Sequence, residues 1–174
     1  AGMSTSCLRQ RVWLRQMLPD GVKWDYGLDL SAVNPQHNGT DQYTAVISRI
    51  FAECHRVLKK DGGRLVFTFH HWNPKGWAAL TLALKQAGFV LLNRYVVHAE
   101  NPISVHIAGM KALTHDAILV LAPAETGLRP AWQRPERVST ADSHHFCLDC
   151  ATLLGWMLAN GVEDGEIEAL WQTG

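Results

Sequence analysis

The stretch between Val46 and Val97 constrains the fold more than any other part of this sequence, because its hydrophobic period alternates between helix and strand. Val46, Ile47, Ile50, Phe51, Cys54, Val57 and Leu58 recur at helical spacing, which sets them along one face of a helix beginning near Asp41. Asp61-Gly62-Gly63 then supplies glycine where a helix C-cap wants one. Arg64-Leu-Val-Phe-Thr-Phe-His-His71 follows, short, β-branched and aromatic, and reads as a strand buried on both faces. Asn73-Pro74 opens a second helix, since proline suits the first turn; Trp77, Leu80, Leu84 and Ala87 mark its face and Gly88 ends it. Phe89 to Val97 is the next strand. Strand, crossover helix and strand in this order predict a parallel, right-handed βαβ unit and an α/β fold.

The flanks are less regular. Val12, Trp13, Met17 and Leu18 with Arg9, Arg11 and Arg15 predict a short helix that Pro19-Asp20-Gly21 stops, and residues 22–40 have the composition of a surface loop. Beyond a long loop, Ala117-Ile-Leu-Val-Leu-Ala122 is a third strand ending at Pro123. Pro130, Pro135 and the arginines of 125–141 suit a connecting arm. Asp142 or Ser143 then caps a helix through Asn160 that is apolar nearly all round and so must be buried. Glu163 to Gln172 completes a helical hairpin over 142–174. The expected organisation is an α/β unit over 1–124, the arm, and the hairpin.

Charge and composition narrow the function. Sixteen Lys and Arg balance sixteen Asp and Glu over 174 residues, and 47% of the chain is hydrophobic. That is enough for one full core, which excludes a disordered or fibrous protein. The zero net charge argues against strong stand-alone nucleic-acid binding. No apolar run reaches the roughly 18 residues of a membrane helix and no signal peptide is legible, so no membrane partner is expected and the cytoplasm is the default location. Cys7, Cys54, Cys147 and Cys150 are scattered, as reduced thiols are. Ala1-Gly2 ahead of Met3 reads as a cloning remnant.

Ile50-Phe-Ala-Glu-Cys-His-Arg-Val-Leu-Lys-Lys-Asp-Gly-Gly63 and the following Arg64-Leu-Val-Phe-Thr-Phe-His-His-Trp-Asn-Pro-Lys-Gly-Trp77 resemble the segment around the fifth strand of class I S-adenosylmethionine-dependent methyltransferases. The nearest likeness is to DNA methylases that methylate an amino group. It covers about residues 9–124, through Glu100-Asn-Pro-Ile-Ser-Val-His106 and Asp116-Ala-Ile-Leu-Val-Leu-Ala122. The resemblance implies part of a Rossmann-like sheet whose last strand runs antiparallel between the fifth and sixth, mapping onto Arg64–His71, Phe89–Val97 and Ala117–Ala122. Such an enzyme also needs a glycine-rich turn for the cofactor and an Asp/Asn-Pro-Pro-aromatic motif for the flipped base. Asn34-Pro35, Asn73-Pro74 and Asn101-Pro102 lack the second proline and the aromatic. The expectation is therefore a C-terminal half that begins after the catalytic loop. S-adenosylmethionine serves the complete family, no cofactor is expected for this chain alone, and DNA is a partner only in a complete assembly.

His70, His71, Trp72 and Asn73 fall at the carboxyl end of the first strand, where ligands of open α/β sheets bind. By the resemblance they would help wall the target-base pocket, with Trp72 stacking and the imidazoles hydrogen-bonding; the structural alternative packs Trp72 on Trp77. His144, His145, Cys147 and Cys150 have the ligand types of a zinc site. Neighbouring histidines converge poorly, however, and both cysteines lie on an apolar helix, so core packing is preferred and no metal is expected. Cys54 and His55 point to different faces of their helix, which argues against a nucleophile pair. Arg9, Arg11, Arg15, Arg129, Arg134 and Arg137 would touch phosphate only in a larger assembly and otherwise form a solvated face. Seven tryptophans suggest an interface as well as a core. The alternative to a methyltransferase half is a non-enzymatic self-association module. In either case the strand at 64–71 lacks its outer neighbour, and a homodimer or a missing N-terminal half is the expected partner.

Overall fold

The computed structural model describes residues 16–17, 19–21, 40–99 and 113–173. Nearly all of the helix read from Arg9 to Leu18 and of the loop at 22–40, and the segment Glu100–His106, lie outside these residues, with Arg9, Arg11, Arg15, Cys7, Trp13, Trp24, Asn34-Pro35 and Asn101-Pro102. Among the described residues the protein is mixed α/β. Helices α1 (Thr40–Val57), α2 (Pro74–Gln86), α3 (Ser143–Asn160) and α4 (Asp164–Thr173) accompany strands β1 (Leu65–Phe69), β2 (Phe89–His98) and β3 (His115–Pro123). None of these helices is long and apolar enough to cross a membrane.

The sheet has the order β1-β3-β2, and both of its ladders are antiparallel. The helix-linked strands β1 and β2 run in the same direction, as a βαβ unit requires, yet they do not pair with each other. β3 lies between them, with Phe67 opposite Leu119 on one side and Arg94 opposite Leu119 on the other. The expectation of a parallel ladder is corrected accordingly: the crossover spans a gap that a later strand fills.

A second correction concerns β1. Its side chains alternate between half-buried and exposed, whereas its composition suggests burial on both faces. Leu65, Phe67 and Phe69 point to the side where the helices pack; Phe67 meets Phe51 of α1 at 5.3 Å and Phe69 meets Trp77 of α2 edge-on at 4.8 Å. On the opposite face Val66 is 56% exposed, and Tyr95 and Val97 of β2 are 54% and 38% exposed. A short β-branched run thus reports its strand propensity but not how many layers cover it.

The core is continuous from Phe51 through Trp77, Leu91 and Leu119 to Leu154 and Trp171. α3 lies at its centre, burying Phe146, Cys147, Cys150, Leu153, Leu154, Met157 and Leu158, as its all-round apolar character demands. Asp142 is its N-cap and accepts from His145 N. α4 adds Ile167 and Trp171, whose ring stacks on Trp77 at 5.7 Å. An irregularity between Leu91 and Asn93 puts an extra residue in β2, which reverses the side-chain alternation. Arg94 therefore points inward and donates to Thr152 Oγ1 (2.6 Å) on α3. The arm is anchored at the same place: Trp132 Nε1 donates to Leu91 O (3.1 Å), and the Arg94 guanidinium lies 4.8 Å from the Trp132 ring.

Candidate functional site

β1 ends at Phe69, and the next four residues make the turn into α2. Asn73 is the N-cap, its Oδ1 accepting from Lys75 N at 2.9 Å, and Pro74 occupies the first turn without sacrificing a helical hydrogen bond. His71 Nδ1 accepts from Asn73 N (2.9 Å), and its carbonyl accepts from the buried Trp77 indole (2.8 Å). The imidazole lies so close to the helix start that a Cβ on Gly76 would stand 2.6 Å from His71 Cγ. Glycine at 76 is thus required by a close approach rather than by backbone angle. His71 and Asn73 are first of all parts of a helix cap.

His70 is different. Its Nδ1 is paired with Asp116, brought opposite it by the β1–β3 register. His70 remains 42% exposed while Asp116 is 18% exposed. A carboxylate on Nδ1 fixes the tautomer with Nε2 as the ring's acceptor nitrogen, a geometry suited to accepting a hydrogen bond. Rather than against Trp77, Trp72 packs against Phe146 of α3, ring centroids 4.6 Å apart. That neighbour lies far along the chain and is invisible to local pattern.

The zinc-type set does not form. Cys147 is buried and donates through Sγ to His115 O (3.2 Å), and Cys150 is buried one turn further along. Burial, with Asp116 nearby, pushes the Cys147 thiol up to about 11, and burial raises Cys150 as well. Both are inert core thiols in this setting. His144 and His145 stay exposed at the mouth of α3. Cys54 packs against the core, while His55 Nε2 meets Glu125 Oε2 at 3.1 Å and its ring lies edge-on to Phe89. Of the arm arginines, Arg129 donates to Ala124 O and Leu128 O, and Arg134 covers the Trp156 ring at 5.2 Å.

Two residues that sequence reasoning passed over belong to this end of the sheet. His98 and His115 are register partners at the ends of β2 and β3, their rings 4.9 Å apart. Partial burial, then His98 and then His144, hold His115 below the ordinary imidazole range. Each stands at a strand end on strands set antiparallel, and that pairing was the available signal. No family model matches the chain, and neither the curated proteins nor the solved structures contain a match.

Proposed function

We propose that this chain is the C-terminal half of an S-adenosylmethionine-dependent DNA amino-methyltransferase-like protein, inactive by itself. The observation that carries the reading is the strand order: β3 runs antiparallel between two strands that share a direction and are joined by α2. In the family that the sequence resembles, the seventh strand sits in that way between the fifth and the sixth. The position of His70, paired to Asp116 at the carboxyl end of β1, agrees with a wall of the target-base pocket. In the complete protein the other half would hold the methyl donor, and His70 would hydrogen-bond substrate through Nε2.

The test has two stages. Calorimetry of the chain alone is expected to give an S-adenosylmethionine affinity weaker than about 1 mM, with no transfer of labelled methyl groups to DNA. Supplying an N-terminal half that carries the cofactor turn and the Pro-Pro-aromatic motif is expected to restore transfer, and His70→Ala is expected to lower it. Micromolar cofactor affinity or methyl transfer by the isolated chain overturns the reading.

A second reading, self-association without catalysis, is favoured by the exposed apolar face at Val66, Tyr95 and Val97 and by the outer edge of β1, which no described strand pairs. Failure of any second polypeptide to restore methyl transfer, with a stable dimer in solution, would favour it.

A further inference from the structure

Four imidazoles from three elements form a chain of ring contacts at one end of the sheet. His98 from the end of β2 meets His115 from the start of β3 at 4.9 Å; His115 meets His144 at 5.5 Å; His144 meets His145 at 5.3 Å. The last two come from the first turn of α3, beside its N-cap Asp142. The ligand atoms of Asp142, His144 and His145 all lie within 4.8 Å of one another. Adjacent histidines on a mid-helix stretch diverge, but these two sit in the first turn, where Cβ vectors tilt back over the cap. Ser143 holds the assembly together by accepting at Oγ from both Thr114 N and His115 N, each at 3.0 Å. The start of β3 and the start of α3 are thereby fixed to each other.

We propose that this mouth binds a divalent transition-metal ion of the zinc type, with Asp142, His144 and His145 as ligands and the half-buried His115, whose ring meets that of His144, turning in as the fourth. Imidazole and carboxylate donors suit zinc, and four of them complete a tetrahedral site. Zinc needs neighbouring ligand atoms roughly 3.3 Å apart, a contraction that exposed side chains reach by rotation. Asp142 keeps Oδ1 on His145 N as the helix cap (2.8 Å) and offers Oδ2, which now accepts from His145 Nδ1 (2.6 Å). On binding, that hydrogen bond is exchanged for two bonds to the ion, and the ring proton goes to Nε2. The carboxylate offsets the positive end of the helix, which would otherwise oppose a cation. His115 has Nδ1 beside Thr114 Oγ1 (3.1 Å), which leaves Nε2 for the ion. The bound ion would clip the helical hairpin to the open end of the sheet.

The experiment uses the full chain without an affinity tag, stripped with a chelator and titrated with Zn²⁺ against a fluorescent competitor, then loaded with Co²⁺ for visible spectroscopy. One ion per chain is expected, at micromolar affinity or tighter, with tetrahedral Co²⁺ bands and no thiolate charge-transfer band. His144→Gln, His145→Gln and His115→Gln are each expected to weaken binding by about tenfold or more, whereas His55→Gln leaves it unchanged. Asp142→Asn, which retains a capping oxygen, is expected to weaken it likewise. Binding that survives His144→Gln and His145→Gln, a thiolate band pointing to the cysteines, or no binding at micromolar Zn²⁺ overturns the proposal.

Discussion

At Gly155 the packing leaves room for a hydrogen atom only. A Cβ there would stand 2.8 Å from Trp132 Cε2 and 2.9 Å from Leu91 Cδ2, so the arm, the bulged strand and α3 meet on one residue. Gly155→Ala is expected to cost about 1–3 kcal/mol, read as a lower urea midpoint at unchanged slope, with the Trp132 emission shifted to the red. The cysteines supply a second expectation. Cys147 holds its proton up to about 11 against an ordinary 9.0, and Cys150 is raised too, by burial first and then by Cys147 and Asp149. In folded protein near neutral pH, peptide mapping after iodoacetamide treatment should find both unmodified; labelling without unfolding would contradict their burial. A raised thiol stabilises the fold fully below its unfolded value, and that contribution is lost as pH climbs from about 9 towards the folded value. Urea midpoints should therefore fall across that alkaline interval, and Cys150→Ala should flatten the decline.

At the scale of elements, α4 is held by its apolar face and one cation. Trp171 stacks on Trp77 and donates through Nε1 to Thr81 Oγ1 (3.1 Å), and Thr81 in turn donates to Trp77 O (2.7 Å). Trp171→Ala is expected to cost about 3–5 kcal/mol, measured by denaturant unfolding; a loss below about 1 kcal/mol would mean that α4 is not docked in solution. Lys85 of α2 donates to Val162 O (2.7 Å) and Asp164 Oδ1 (2.6 Å), fastening the turn of the hairpin. Lys85→Met should cost about 1 kcal/mol, since the pair is partly solvated, and the loss should shrink at high salt. These helices were legible because their apolar residues repeat at helical spacing over several turns, and the cap residues Asn73-Pro74 and Asp142 stood where the chemistry puts them. The open face of β1 was not, because five residues of mixed β-branched and aromatic character look alike under one layer or two. Nor was the bulge in β2, which turns Arg94 inward without any glycine to announce it. The position of His70 at a strand end was legible, while its partner Asp116 emerges only once β3 lies beside β1.

For the whole molecule, the sheet is covered by the described helices on one face only, and Val66 and Tyr95 are left to solvent on the other. Sedimentation is expected to give a species of twice the 19.4 kDa chain mass, and Val66→Lys is expected to shift it to monomer without loss of helicity. A monomer at every concentration would mean that the edge of β1 is closed within the chain. The strand order also carries a consequence for biosynthesis. β3 supplies a partner to both other strands, yet it is made last of the three. A ribosome that has released β1, α2 and β2 has produced two strands with no ladder between them, and among the described strands neither pairs until β3 follows. The α3 surface that seals Leu91 and Leu119 arrives later still. Until then the apolar rows of β1 and β2 remain open to whatever chaperone or neighbouring chain reaches them first.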